Sequence, residues 1–356
     1  MKKTIIFILI LIILVLGFLF FTQKKDQENQ VIPSQEFEIT TNYIDEEDEE
    51  RIISILYPSV GIEQIDKEIK EYVDSEANTF KEMEYISFSG AKYILDIDYF
   101  PVKFNDDIIS FKFNKSDYTG GAHGNQYIAC FTYNIKENKR LYLNDFFSSE
   151  TYLDKISEFS INDFMNDEYA DEEWIKDGAG PKLENYDKFV ITENAFVFYF
   201  PPYQVSPYAL GERQIVMPLN QLKEILNEEI FENYDFSLNK GIYILSPLPG
   251  DTIKLSSIVQ GEEKYFLDVE GYLNGNGWAP FEAVGGRVEL LDENNNVLTS
   301  SNIDIIGNWM KIPVYFRVYL FFDPKESKTG TLLFHNDNAS DLEENEREFS
   351  LPLKFE

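Results

Sequence analysis

The chain has 356 residues, 63 of them acidic and 31 basic, for a net charge of −32. That balance repels nucleic acid and anionic lipid headgroups and favours cationic partners or plain solubility. With 44% hydrophobic and 15% aromatic residues, the chain is not an acidic disordered polymer and can fill real cores.

Thr4 to Thr22 is an uncharged run of 19 residues, almost all Ile, Leu, Val and Phe. As a helix it reaches ~28 Å, enough to cross a hydrocarbon core. Lys2 and Lys3 precede it and Lys24 and Lys25 follow, so the charge bias is weak. The short amino-terminal side favours the amino terminus inside and the body outside. A cleaved signal peptide would want small residues before the cut, but Gly17 is followed by Phe18, Leu19, Phe20 and Phe21. The expectation is an uncleaved, single-pass anchor in the cell membrane carrying an extracytoplasmic body. Residues 23–35 are polar and read as a tether.

From Phe37 the pattern alternates like strands, broken by the acidic tip Asp45–Glu50, which reads as a hairpin turn. Ile62, Ile65, Ile69, Tyr72, Val73, Ala77 and Phe80 then recur at helical spacing, with the apolar stripe aimed at a sheet. Strands are predicted at about Tyr93–Phe100, Ile108–Asn114 and Tyr127–Tyr133. Cys130, the single cysteine, lies in the last of these within YIACFTY; it excludes an internal disulfide and reads as a buried strand residue. A second helix is predicted over Thr151–Met165, an acidic loop over Asn166–Asp177, and a turn at Gly178–Pro181. Phe189–Phe200 reads as strand and Leu219–Leu226 as a short helix.

Residues 36–235 therefore read as an α+β domain, an antiparallel sheet with packed helices. From Gly241 the pattern changes to short strands with Gly and Asn turns, which over residues 241–356 argues an all-β sandwich that folds alone. Trp278 and Trp309 are expected in its core.

Two segments resemble known families. Ser116–Phe147, containing YTGGAHG, resembles the GGAH signature of a bacterial domain of unknown function found in PdaC-like peptidoglycan deacetylases and RsiV-like lysozyme-sensing anti-sigma factors. Phe196–Leu226 is similar to the same family's closing motif, an aromatic strand, a PY-x-x-x-PYA turn and a final strand and helix. Ile242–Phe355 resembles the immunoglobulin-like domain named from spore-germination proteins, through SPLPG, GNGWAPFEA, GNWM and GTLLFHNDNASDLEENE. Ala339, Ser340 and Asp341 replace that family's usual Pro-Ser-Gly, implying an altered loop. The resemblance implies envelope work through a shared extracytoplasmic module. With only Met1 to Lys3 before the expected anchor, a sigma-binding domain is not expected, nor is a deacetylase metal site from two histidines in different domains.

Among chemistry-bearing residues His123 stands first. Gly120, Gly121 and Gly124 around it allow an unusual loop shape, but zinc needs three or four ligands and no second histidine or cysteine accompanies it. His123 therefore either hydrogen-bonds its own loop or contacts a ligand. Tyr199, Tyr203 and Tyr208, with Pro201, Pro202 and Pro207, form a turn that either closes the sheet or anchors a partner. The candidate binding residues are Tyr118, Gly120, Gly121, His123, Tyr203 and Tyr208; no catalytic residue and no cofactor is assigned. The acidic clusters Asp45–Glu50, Asp167–Glu173 and Asp337–Glu346 lack calcium-loop spacing and read as solvated charge. The best calcium candidates among them are Asp337 and Asp341. The expected function is contact with cell-wall peptidoglycan or a cationic protein such as lysozyme, without nucleic acid. The alternatives are a hydrolase using His123 and a structural envelope-assembly subunit.

Overall fold

The computed structural model describes residues 39–355 except 87–89, 167–169, 249–250, 254, 260–261, 339 and 341, with backbone alone at 252–264. The anchor and tether fall outside the described residues. Among the described residues no helix is long and apolar enough to cross a membrane.

Strands β1 (Thr40–Glu47) and β2 (Arg51–Ser59) form the expected hairpin. Its turn is held by Asp48, whose Oδ1 accepts from the Glu50 and Arg51 amides at 2.7 Å. Helix α1 (Glu63–Glu82) buries Ile65, Ile69, Val73, Ala77 and Phe80, the stripe read from the sequence. Asp66 pins its start by accepting from Ser59 Oγ and the Val60 amide, both at 2.7 Å. Because this helix is a crossover, β3 (Tyr93–Lys103) returns parallel to β2. The sheet is thus mixed, where an antiparallel one was expected: alternation within each strand carries no information on direction, whereas a connection this long permits a parallel return. β4 (Ile108–Tyr118), β5 (Asn125–Asn134) and β6 (Lys139–Leu141) complete it as an antiparallel meander.

Helix α2 (Tyr152–Phe164) lies where predicted. The expected acidic loop after it contains helix α3 (Glu172–Gly178), started by Asp171, whose side chain accepts from the Trp174 amide. The expected strand Phe189–Phe200 is two strands, β7 (Phe189–Ile191) and β8 (Ala195–Phe200). They fold back at Thr192, whose Oγ1 accepts from the Asn194 and Ala195 amides. With β9 (Arg213–Pro218) they make a three-stranded sheet. Leu219–Leu226 forms two tight 3-10 turns, not an α-helix, closed by Leu222 N–H to Leu219 O and Ile225 N–H to Leu222 O. Phe146, Phe189, Phe196, Phe198 and Phe200 are fully or almost fully buried in the core these elements enclose.

The second half is all β: β10 (Ile242–Ser246), β11 (Thr252–Ile253), β12 (Leu255–Val259), β13 (Glu262–Leu273), β14 (Val284–Asp292), β15 (Val297–Ile306), β16 (Val314–Phe322), β17 (Thr329–His335) and β18 (Glu348–Phe355). One layer runs β10–β13–β16 and the other β14–β17–β18. β15 pairs with β14 up to Asp304 and with β16 at Ile305 and Ile306, so it turns the corner of a sandwich. Val269, Phe316 and Val318 from one layer meet Val288, Leu332 and Leu351 from the other. Trp278 joins this core, but Trp309 is only half-buried in the β15–β16 loop. No strand pleat directs it inward there.

From Ile39 onward the two halves form one compact unit. Phe100, Ile128, Cys130, Val197 and Tyr199 share a buried cluster with Tyr243, Leu245, Tyr272 and Tyr315. Tyr272 reaches across to bond Thr192 Oγ1 at 2.7 Å, and also the side chain of Asn194.

Candidate functional site

The GGAH loop joins β4 to β5. Gly124 passes so close to the Asp117 carbonyl that a Cβ there would lie 2.8 Å from its oxygen, and Gly120 has φ +85°. These two positions need glycine. His123 is exposed, and its Nδ1 lies 2.8 Å from the Gly124 carbonyl, a contact that requires the proton on Nδ1. Its ring stacks on Tyr208 at 4.4 Å and 27°. Tyr208 in turn donates its hydroxyl proton to the same Gly124 carbonyl at 2.7 Å. Two motifs distant in sequence are thereby one surface.

The turn that carries Tyr208 is held from below by α3. Trp174 Nε1 donates to the Tyr203 carbonyl at 2.8 Å, and Gln204 Nε2 donates to the carbonyls of Gly178 and Asn185. Tyr203 takes φ +73° and is 59% exposed, with its ring 5.6 Å from that of Tyr208. Tyr203, Tyr208 and His123 therefore form a continuous aromatic ridge. Tyr118 is half-buried at the end of β4, and Gly121 is exposed in the loop. Tyr199 is not part of the ridge. It is fully buried, with the Lys112 ammonium 4.2 Å from its ring centroid. The sequence marks Tyr127 only as the start of a strand. It is 46% exposed under Lys115 and lines a cleft of about 130 Å³ with Pro202.

Below that cleft lies a charged joint. Lys112 is fully buried, 2.9 Å from Glu212 and 3.6 Å from Glu270, which belongs to the sandwich. Arg317 holds Asp268 and stands 3.2 Å from Glu270, and Tyr315 donates to Glu270. Burial pushes the Lys112 pKa down, but Glu212 and Glu270 outweigh it and hold the value above the usual lysine range. Burial likewise pushes Glu270 up, and Lys112 and Arg317 outweigh it, so its carboxyl stays below the usual range. Asp98, which lines the cleft, has crowded surroundings and the charges of Asp96 and Asp268 against it, and its carboxyl is pushed up to about 6. Asp98 is nonetheless an exposed residue, and solvent screens part of that effect.

Among the described residues no group of three or more His, Cys, Asp or Glu side chains is placed to hold a metal. Around the first acidic cluster Glu46 pairs with Lys81, Glu47 with Lys92 and Glu50 with Arg51. Asp341 and the start of the second cluster fall outside the described residues. Cys130 is buried and its thiol is pushed far up by burial, so it is inert as a nucleophile. The second histidine, His335, lies on β17 beside Glu289 and Glu348.

Residues 61–126, which include the GGAH loop, match the family described as Deacetylase PdaC. Residues 144–220, which include Tyr203 and Tyr208, match the family described as Protein of unknown function (DUF3298). The chain is 30% identical over 185 residues to the peptidoglycan-N-acetylmuramic acid deacetylase PdaC of Bacillus subtilis (strain 168). That match takes in 50% of this chain and 40% of the relative. Two crystal structures of DUF3298 family members are also similar. One, from Bacteroides fragilis, is 18% identical over 54% of this chain and 94% of that one, with a TM-score of 0.39. The other, from Pseudomonas aeruginosa, is 12% identical with the same coverage and a TM-score of 0.41.

Proposed function

Because its α+β half contains a PdaC-like domain of unknown function, we propose that this chain is an extracytoplasmic, envelope-associated binding protein. Its partner in this reading is a cationic protein, lysozyme-like in charge. The observation that carries it is the ridge of Tyr203, Tyr208 and His123, where the two family segments meet. Rigid, half-exposed aromatics anchor interfaces, and a net charge of −32 steers basic partners toward them. Binding is preferred to catalysis because His123 is exposed and, among the described residues, its ring nitrogens meet only the Gly124 carbonyl, with no carboxylate in hydrogen-bond reach. A second reading is cell-wall glycan, since stacked rings of this kind also suit sugar faces.

The test is surface binding of hen-type lysozyme to the full chain, with cytochrome c as an equally basic control. Tyr203→Ala together with Tyr208→Ala should raise the lysozyme off-rate about 5–30-fold, the equivalent of 1–2 kcal/mol. Salt should slow association far more than it speeds dissociation. An unchanged off-rate in a folded double variant, or equal binding of cytochrome c, would reduce the interaction to generic electrostatics. Retention on peptidoglycan sacculi at high salt, lost in the same variant, would favour the glycan.

A further inference from the structure

A concavity larger than the cleft beside the ridge lies elsewhere. A cleft of about 470 Å³ opens between α2 and β9 of the first half and residues 306–315 of the sandwich. That volume is in the ordinary range of small-molecule sites, roughly 300–1,000 Å³. None of its lining residues belongs to the aromatic ridge.

Its wall is chemically specific. Four carboxamides line it, Asn162, Asn166, Gln214 and Asn308. Gln214 Nε2 donates to Glu212, while its Oε1 is buried with no hydrogen-bond partner. Asn308 Oδ1 accepts from the Met310 amide, and among the described residues its Nδ2 has no partner. Phe159, Ile312 and Pro313 supply apolar wall between these groups. In a chain this acidic, the described lining holds one carboxylate, Asp163, and Lys311 neutralises it at 2.8 Å, tying the two halves together across the cleft. The other charged group of the lining, Arg213, is engaged within its own half, its guanidinium 5.8 Å from the Phe164 ring centroid. A neighbouring cleft of about 270 Å³ shares Ile312 and Pro313 and adds Asn194 and Asn274. No charged side chain occurs in its described lining.

Each carboxamide both donates and accepts, which matches hydroxyl and acetamido groups, while small apolar walls match the C–H face of a sugar ring. A cationic ligand would want carboxylates, and a phosphate would want a basic cluster. We propose that this junction binds an uncharged oligosaccharide bearing hydroxyl and acetamido groups, one ring in the larger cleft and the chain continuing over the Ile312–Pro313 ridge. The site exists only while the two halves are packed together, because each contributes one wall.

The probe is the β-1,4-linked N-acetylglucosamine tetramer, titrated by calorimetry into the full chain in a detergent without a sugar headgroup. Saturable binding is expected, unchanged between low and high salt because the ligand is neutral. Asn162→Ala, on the exposed face of α2, and Asn308→Ala should each weaken it tenfold or more, with the melting curve unchanged in Asn162→Ala. Tyr203→Ala, which tests the ridge, should leave it intact. No saturation up to about 10 mM, well past millimolar affinity, would overturn the proposal. So would binding that survives both Asn variants, or that disappears with Tyr203→Ala. Because lysozyme binding is scored on the ridge and sugar binding here, either reading can fail alone.

Discussion

Lys112 on β4 and Glu270 on β13 lie 3.6 Å apart across the joint between the two halves, exposed by only 0% and 1%. Taking either charge out of water is costly, so each depends on the other remaining. The ion pair makes the docking of the sandwich onto the α+β half a chemical requirement as well as an apolar one.

Replacing Lys112 by Met should therefore destabilise the chain by about 3–5 kcal/mol, because Glu270 is left buried with less compensation. Thermal melting will show the loss. In the native protein Glu270 is depressed below its ordinary 4.5, so its contribution is full above that pH and is lost as pH falls through the depressed value. In Lys112→Met only Arg317 and the Tyr315 hydroxyl still hold Glu270, so its pKa rises relative to the parent and the deficit of the variant should shrink toward acid. A pH-independent deficit would contradict this account.

Asp98 has a raised pKa, so its linkage runs the other way. Stability tied to it is present below the ordinary 3.8 and is lost as pH rises through about 6. Asp98→Asn should be more stable than the parent at pH 7 and indistinguishable from it near pH 3.5. Carboxyl NMR should place the Asp98 midpoint well above that of an ordinary aspartate. The exposure of Asp98 limits the size of the gain, but not its direction.

At the ridge, Tyr208→Phe removes only the hydroxyl that donates to Gly124. It should cost about 0.5–1.5 kcal/mol, the net worth of one hydrogen bond, and speed amide exchange in the GGAH loop. Tyr203→Ala should change stability by less, since that ring is mostly exposed. Equal effects of the two substitutions on loop exchange would argue against Tyr208 as the tie.

Gly178 is a sharper test of how α3 supports the turn. A Cβ there would lie 1.8 Å from the Gln204 carbonyl oxygen, so Gly178→Ala must displace backbone. A loss of roughly 1–3 kcal/mol is expected, with Trp174 fluorescence shifting as its bond to the Tyr203 carbonyl is disturbed. An unshifted spectrum would separate the helix from the turn.

The elements that the sequence alone determined are those whose information is local. The stripe of Ile65, Ile69, Val73, Ala77 and Phe80 repeats at helical spacing and needs no partner to be read. The same holds for β4 and β5, and for the glycine-rich loop between them, whose motif also drew attention to His123. Helix α3 was hidden because only seven residues make it and most are charged, although Asp171 before Glu172 and Glu173 is an N-terminal signal. The direction of β3 against β2 was decided by where α1 packs. The meeting of His123 with Tyr208, the burial of Lys112 and Tyr199, and the two junction clefts belong to tertiary structure alone. Each depends on contacts between residues far apart in the chain, and hydrophobic periodicity reports which face of an element is buried without naming what buries it.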